Sequence, residues 1–363
     1  MKRTACALEY LFAAALLVGT LLFVGTSPRR ARDIPPGEPA EAADADRTEP
    51  PEDCPKTDAS ETQAAETEVS PGSASAFAVS DLFVLPPDLS EKEAAAEAAY
   101  ANAEPAGTVE EVFYRAQGAT DEAGNVRIKN ATGKSPDFAA LLAAGPGLTV
   151  TDKAAPTVLI FHTHTSEAYL GAATGSFFSG EASRSLDPDE SVVRVGTELQ
   201  AVLEAHGIGV IHDTTVYDEV YTGAYQRSRA AVEKYLADYP SLQITLDVHR
   251  DATYNNAASA IKPTAVIEGR KTAQVMIITG VEEGDVTDFP AWEQNLRFAL
   301  ELHSAAETRF PGLMRPVYFC RRRYNMDLTP FSLLLEVGSD TNTLTEAVLA
   351  GRMLGQALAD VIG

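Results

Sequence analysis

PTVLIFHTH (156–164), QITLDVHRD (243–251) and SLLLEVGS (332–339) are apolar, largely β-branched runs, each ending in residues that can bind a metal or move a proton. Runs of this length, bounded by polar residues, read as strands buried on both faces. GIGVIHD (207–213) and AQVMIITG (273–280) add two more. Helical stretches alternate with them: SVVRVGTELQAVLEAHG (191–207), GAYQRSRAAVEKYLADY (223–239), FPAWEQNLRFALELHSAAETRF (289–310) and TNTLTEAVLAGRMLGQALADVIG (341–363). Strands joined through crossover-length helices specify an α/β fold, a largely parallel sheet with helices on both faces. Such a sheet collects ligands at the carboxyl ends of its strands.

Upstream of this core, VEEVFYRA (109–116), VRIKN (126–130) and PDFAALLAA (136–144) place the start of the folded domain near Gly107, giving a domain of 107–363. Residues 27–106 read as an acidic Pro/Ala-rich linker, mostly disordered. Between Asp33 and Ser70 stand twelve Asp or Glu against two basic residues. Such a stretch buries too little apolar surface to offset its chain entropy. Within the linker, SEKEAAAEAAYANAE (90–104) holds strong helix formers but no apolar face, so weak order is expected. Residues 1–26 read as a cytoplasmic tip and a transmembrane anchor. The apolar run 5–25 is broken only by Glu9 and approaches the roughly 20 residues that cross a bilayer. A cleaved signal peptide is the rival, but no small-residue cleavage site of the Ala-x-Ala type follows the run.

The formal charge of −23 over 363 residues argues against a nucleic-acid partner. Cys6, Cys54 and Cys320 show no paired spacing, which implies neither a disulfide framework nor a cysteine zinc knot. Any metal therefore falls to histidine and carboxylate.

An open parallel sheet brings the three strand ends to one edge. His162 and His164 end the first; two residues apart on a strand, they point to one face and could both address one ion. Glu167 follows in a loop able to fold back, and Glu190 stands at the start of the next helix. His249, Arg250 and Asp251 end the second run. Glu336 ends the third behind three leucines, where a carboxylate is costly without a partner or a task. Zinc in a hydrolase takes three protein ligands and leaves a position for water. His162 and His249 with one glutamate meet that count. Arg250 can stabilise a developing oxyanion, or can pair structurally with Asp251. His206, His212 and His303 read as packing residues, Arg321 to Arg323 as solvated surface, and Trp292 as a core anchor.

FHTHTSEAY, VVRVGTELQAVLEAHGIGVIHD, AYQRSRAAVEKYL, ITLDVHRDA, WEQNLRFALEL, FPGLMRPV, YNMDLTP and LLLEVGSDTNTLTEA occur in that order, and at these stretches the sequence resembles the stage II sporulation protein P family from about Gly107 onward. The resemblance implies a fold similar to that of zinc-dependent N-acetylmuramoyl-L-alanine amidases. It implies a peptidoglycan hydrolase that cuts the amide between N-acetylmuramic acid and L-alanine, with endopeptidase activity on cross-links. It further implies action during engulfment at the mother-cell membrane, on the extracytoplasmic side, beside the glycan-cutting stage II sporulation protein D. Carried over by position, His162 and His249 match the family's active-site histidines, Glu167 its motif glutamate and Glu336 the catalytic glutamate of the amidases. Motif similarity favours Glu167 as third ligand and the amidase architecture favours Glu190; both stand, with His164 beside them. Met326 occupies a position of the YNxDL motif where a glutamine is expected.

Overall fold

A computed structural model describes residues 78–181 and 183–363. The anchor expected over 1–26 and the linker up to residue 77 lie outside the described residues. Among the described residues no helix is long and apolar enough to cross a membrane. The chain enters through a 3-10 turn (Val79–Phe83) and α1 (Pro87–Tyr100), followed by β1 (Pro105–Val112), β2 (Asp121–Ala123), β3 (Val126–Asn130) and α2 (Phe138–Ala143). Next come β4 (Pro156–Phe161), β5 (Ser176–Phe178), α3 (Val192–Ala205), β6 (Gly209–His212), α4 (Ala224–Asp238) and β7 (Ile244–Asp251). A hairpin region, β8 (Thr253–Asn256), β9 (Ser259–Ile267) and β10 (Arg270–Ala273), precedes β11 (Val275–Gly280). The chain closes with α5 (Trp292–Arg309), β12 (Val317–Cys320), β13 (Phe331–Ser339) and α6 (Leu344–Ile362).

The central sheet runs β2-β3-β12-β11-β13-β7-β4-β6. The β3–β12, β12–β11, β13–β7, β7–β4 and β4–β6 pairs are parallel, whereas β2–β3 and β11–β13 are antiparallel. Residues of β4, β7 and β13 alternate between a large core on one face and two smaller clusters on the other, as the strand period of two requires. Val158 and Ile160, Leu246 and Val248, and Leu333 and Leu335 join the large core shared with α3, α5 and α6. Leu159 and Phe161 face the other way, against Val232 of α4, while Leu334 joins Met276, Ile278 and Met326. Met326 is 1% exposed in that smaller cluster, so its position in the YNxDL motif is a packing position. Trp292 stacks 5.9 Å from Phe319 and packs on both the large core and that cluster, as a core anchor should.

Two parts differ from expectation. A second sheet, β10-β9-β1-β5 with β8 on β9, lies beside the first. Its strands read poorly because β8 is the polar TYNN and β9 contains Pro263, which cannot donate to a ladder. Where a weakly ordered linker is expected up to residue 106, the 3-10 turn and α1 pack on the domain. Leu82 and Leu89 are buried, Arg352 donates to the carbonyls of Asp81 and Leu82 at 2.7 and 2.9 Å, and Arg194 forks onto Asp88 at 3.1 Å for each oxygen. Two leucines and two arginines hold this segment rather than a helical stripe, so a search for amphipathicity passes over it.

Candidate metal centre

The carboxyl ends of β4, β7 and β13 adjoin, and the strand period decides which residues meet there. On β7, Asp247 and His249 alternate with the core residues Leu246 and Val248 and so face the α4 side. Glu336 is in register with His249 on the neighbouring parallel strand β13 and shares that face with Leu334. After Phe161 the chain leaves β4 and turns through residues 163–166, with the Glu167 amide donating to the His164 carbonyl at 3.0 Å. This turn delivers His164 and Glu167 to the His249 side. Asp218 holds it, accepting from the Ser166 hydroxyl at 2.6 Å and from Arg184 at 2.5 Å.

Among the described residues, His164, Glu167 and His249 form the group that could hold a metal ion; all three are buried and their donor atoms lie within 4.8 Å of one another. Glu167 Oε1 is 3.5 Å from His164 Nδ1, and Oε2 is 3.4 Å from His249 Nδ1. Burial alone would raise the Glu167 carboxyl, but the Arg250 guanidinium and the two imidazoles outweigh it and hold the acid well below the usual carboxylate range. Two imidazoles and an ionised carboxylate converging in a buried site are the donor set zinc takes. These residues therefore fit a zinc ion. His164 also stacks on Tyr221 at 4.7 Å and meets Tyr225 edge-on at 5.6 Å, so α4 and the loop before it wall the site with aromatic rings.

The expected ligands divide. Glu167 and His249 come together, and His164 is their partner. His162 is a correction: it follows Val158 and Ile160 on the α3 face, with Nδ1 2.9 Å from the Val248 carbonyl and Nε2 2.8 Å from His212 Nε2. A Cβ on Gly196 of α3 would sit 2.6 Å from His212 Nε2 and 2.8 Å from His162 Nε2, so α3 can close over the two rings only with glycine there. Burial, then the neighbouring His212, pushes His162 well below 6.5, and burial pushes His212 to about 4. Since the turn starts at Thr163, the two-residue spacing of His162 and His164 does not place them on one face. Glu190 is a second correction: exposed, it accepts from the Ser185 hydroxyl at 2.8 Å, and Ser191 caps α3 in its place.

Arg250 is a third. Its Nε and Nη2 donate to the carbonyls of Ala168 and Ser183 at 3.2 and 2.8 Å, and Nη1 lies 3.6 Å from Glu167. The guanidinium anchors Glu167 and its loop and is not presented to an oxyanion. Asp251 pairs instead with Arg315 at 2.9 Å. Three residues of the site were not foreseen from sequence: Asp247, Tyr221 and Tyr225. Asp247 carried a signal, since a carboxylate two residues before His249 on a strand shares its face.

A family model described as stage II sporulation protein P (SpoIIP) matches residues 56–362. Stage II sporulation protein P of Bacillus subtilis strain 168 is 32% identical over 234 residues, covering 60% of this chain and 52% of that protein. The chain thus matches about half the length of this curated relative. Among solved structures, N-acetylmuramoyl-L-alanine amidase AmiC2 of Nostoc punctiforme is 14% identical, with a TM-score of 0.34 over 57% of this chain and 94% of that one. The amidase Ami1 of Mycobacterium smegmatis is 12% identical, with a TM-score of 0.35 over 60% and 99%. Identities and scores this low assign neither fold nor activity. The family match spans most of the described domain, including every residue of the centre, and on that ground the chain belongs to the stage II sporulation protein P family.

Proposed function

We propose that this chain is a zinc-dependent peptidoglycan hydrolase acting in sporulation, which releases stem peptides by cutting the amide between N-acetylmuramic acid and L-alanine and also cuts peptide cross-links. The observation that carries the reading is the convergence of His164, Glu167 and His249 at the carboxyl edge of the sheet, beside Glu336, in a member of this family. Zinc would be held by His164, Glu167 and His249, and when bound it supplies a Lewis acid that polarises the scissile carbonyl and makes water acidic enough to attack near neutral pH.

The protein's own groups do the rest. Arg250 keeps Glu167 ionised and therefore able to act as a ligand. The Glu336 carboxylate takes the proton of the attacking water and returns it to the leaving nitrogen, the work of a general base and then a general acid. The Tyr221 and Tyr225 rings present flat apolar surface beside the centre, suited to orienting a peptide backbone. The apolar run 5–25 would anchor the chain in the mother-cell membrane with the hydrolase on the extracytoplasmic side, where the glycan-cutting stage II sporulation protein D would work on the same polymer.

The test is digestion of purified sacculi by the full chain, with products identified by mass spectrometry. Stem peptides with a free L-alanine amine should appear, cease with a chelator and return on adding zinc. Undiminished release under chelation would sink the zinc reading. Tight binding to sacculi without release would favour a wall-binding protein that does no chemistry.

A further inference from the structure

Behind the metal ligands lies a buried polar chain that the chemistry above does not use. Asp247 is 1% exposed, and both of its oxygens are engaged. Oδ1 accepts from the Thr163 amide at 2.8 Å and lies 2.8 Å from His249 Nε2; Oδ2 accepts from the Thr163 hydroxyl at 2.7 Å. Thr163 Oγ1 also meets Ser228 Oγ of α4 at 2.8 Å, and Asn325 donates to that same Ser228 oxygen at 3.1 Å. Asn325 and its neighbour Tyr324 hold left-handed backbone, with φ of 58° and 42°. Such backbone is strained for residues with a side chain and persists where its surroundings fix it.

We propose that Asp247 is a positioning residue for both histidine ligands, and this rests on the zinc reading given above. It acts on His164 through the backbone, because Thr163 precedes that ligand and both of its donors end on Asp247. It acts on His249 through charge. A carboxylate 2.8 Å from Nε2 favours the imidazole with its proton on Nε2, which leaves the Nδ1 lone pair directed at Glu167 and the ion. The 2.8 Å approach of Oδ1 to Nε2 couples the charge of Asp247 directly to the imidazole. One carboxylate thereby sets the tautomer of one ligand and the backbone position of the other.

The discriminating variant is Asp247→Asn, which keeps the volume and an acceptor for the Thr163 amide but removes the charge. Zinc affinity of the full chain is measured by competition with a chromophoric chelator, and the His249 tautomer of the zinc-free protein by 15N NMR. Asp247→Asn should bind zinc about 10- to 100-fold more weakly than the parent and shift His249 away from the Nε2-protonated form. A purely structural role would lower the melting temperature and leave the tautomer unchanged. Zinc affinity within twofold of the parent, or an unchanged tautomer, overturns the proposal. Should Asp247→Asn fail to fold, Thr163→Val removes the hydroxyl donor alone and should weaken zinc about threefold or more; unchanged affinity there also overturns it. A parent chain that binds no zinc sinks the metal reading itself, an outcome distinct from a parent that binds and a variant that binds equally well.

Discussion

Two histidine pairs sit on opposite faces of the central sheet and do opposite things. On the α4 face, His164 and His249 lie either side of Glu167, whose charge Arg250 maintains. On the α3 face, His162 and His212 touch through their Nε2 atoms, and the other contact of the His162 ring is a backbone carbonyl. The first pair, with Glu167 between its rings, is the group that could hold a cation. The second is a neutral core pair whose protonation burial opposes. The difference teaches that two adjacent histidines do not make a metal site. What sets the first pair apart is the carboxylate between its rings, whose ionised form Arg250, on the same strand as His249, favours.

The largest expected effect separates the faces outright. His249→Ala should lower zinc affinity by more than about 100-fold and abolish stem-peptide release, since a ligand matters more than its supporting shell. His162→Ala should keep one equivalent of zinc while losing about 2–4 kcal/mol of stability in a denaturant melt. Loss of zinc from a folded His162→Ala protein would break the comparison. Next in size, Glu336→Gln should retain zinc and lose about 10²- to 10⁴-fold in turnover on sacculi; unaltered turnover would remove Glu336 from the chemistry.

Smaller effects sharpen the neutral face. Gly196→Ala places a methyl where the two rings sit and should cost about 1–3 kcal/mol with zinc binding unchanged. Acid should be felt there too. Burial holds His212 and His303 at about 4 against 6.5 for the unfolded chain, so between those values the unfolded state binds more protons and stability falls as pH falls. Each residue contributes a slope of at most about 1.4 kcal/mol per pH unit over that window. Urea melts of His212→Gln at pH 7 and 5 should show a shallower loss than the parent, and an identical loss would refute the assignment to His212.

Much of the fold was legible because buried parallel strands announce themselves. The runs at β4, β6, β7, β11 and β13, and the four long helices between and after them, stand where apolar runs and helical periodicity put them. The second sheet and the packing of α1 were not legible, since they depend on tertiary contacts, although the helix formers over 90–104 pointed to a helix there. Of the site, Glu167, His249 and the strand-end position of Glu336 were readable. The choice of His162 over His164 was the error, because it depends on where β4 stops. A longer strand would have kept both histidines on the α3 face, whereas the turn at Thr163 carries His164 over to the His249 side. Counting faces from the core outward would have helped, since Val158 and Ile160 share a core with Leu246 and Val248, and His162 falls in step with them rather than with His249.

The pairing of β7 with β13 also bears on when the candidate centre forms. Roughly 80 residues separate Glu167 from His249, and about as many separate His249 from Glu336, so no local stretch of chain contains the centre. Parallel pairing across such spans must bear its loop-closure entropy before any contact repays it, which makes it a late and slow event in folding. A nascent chain that has not yet paired β7 with β13 therefore holds the members of the candidate centre apart. On the proposed reading, cutting therefore waits for the sheet to close.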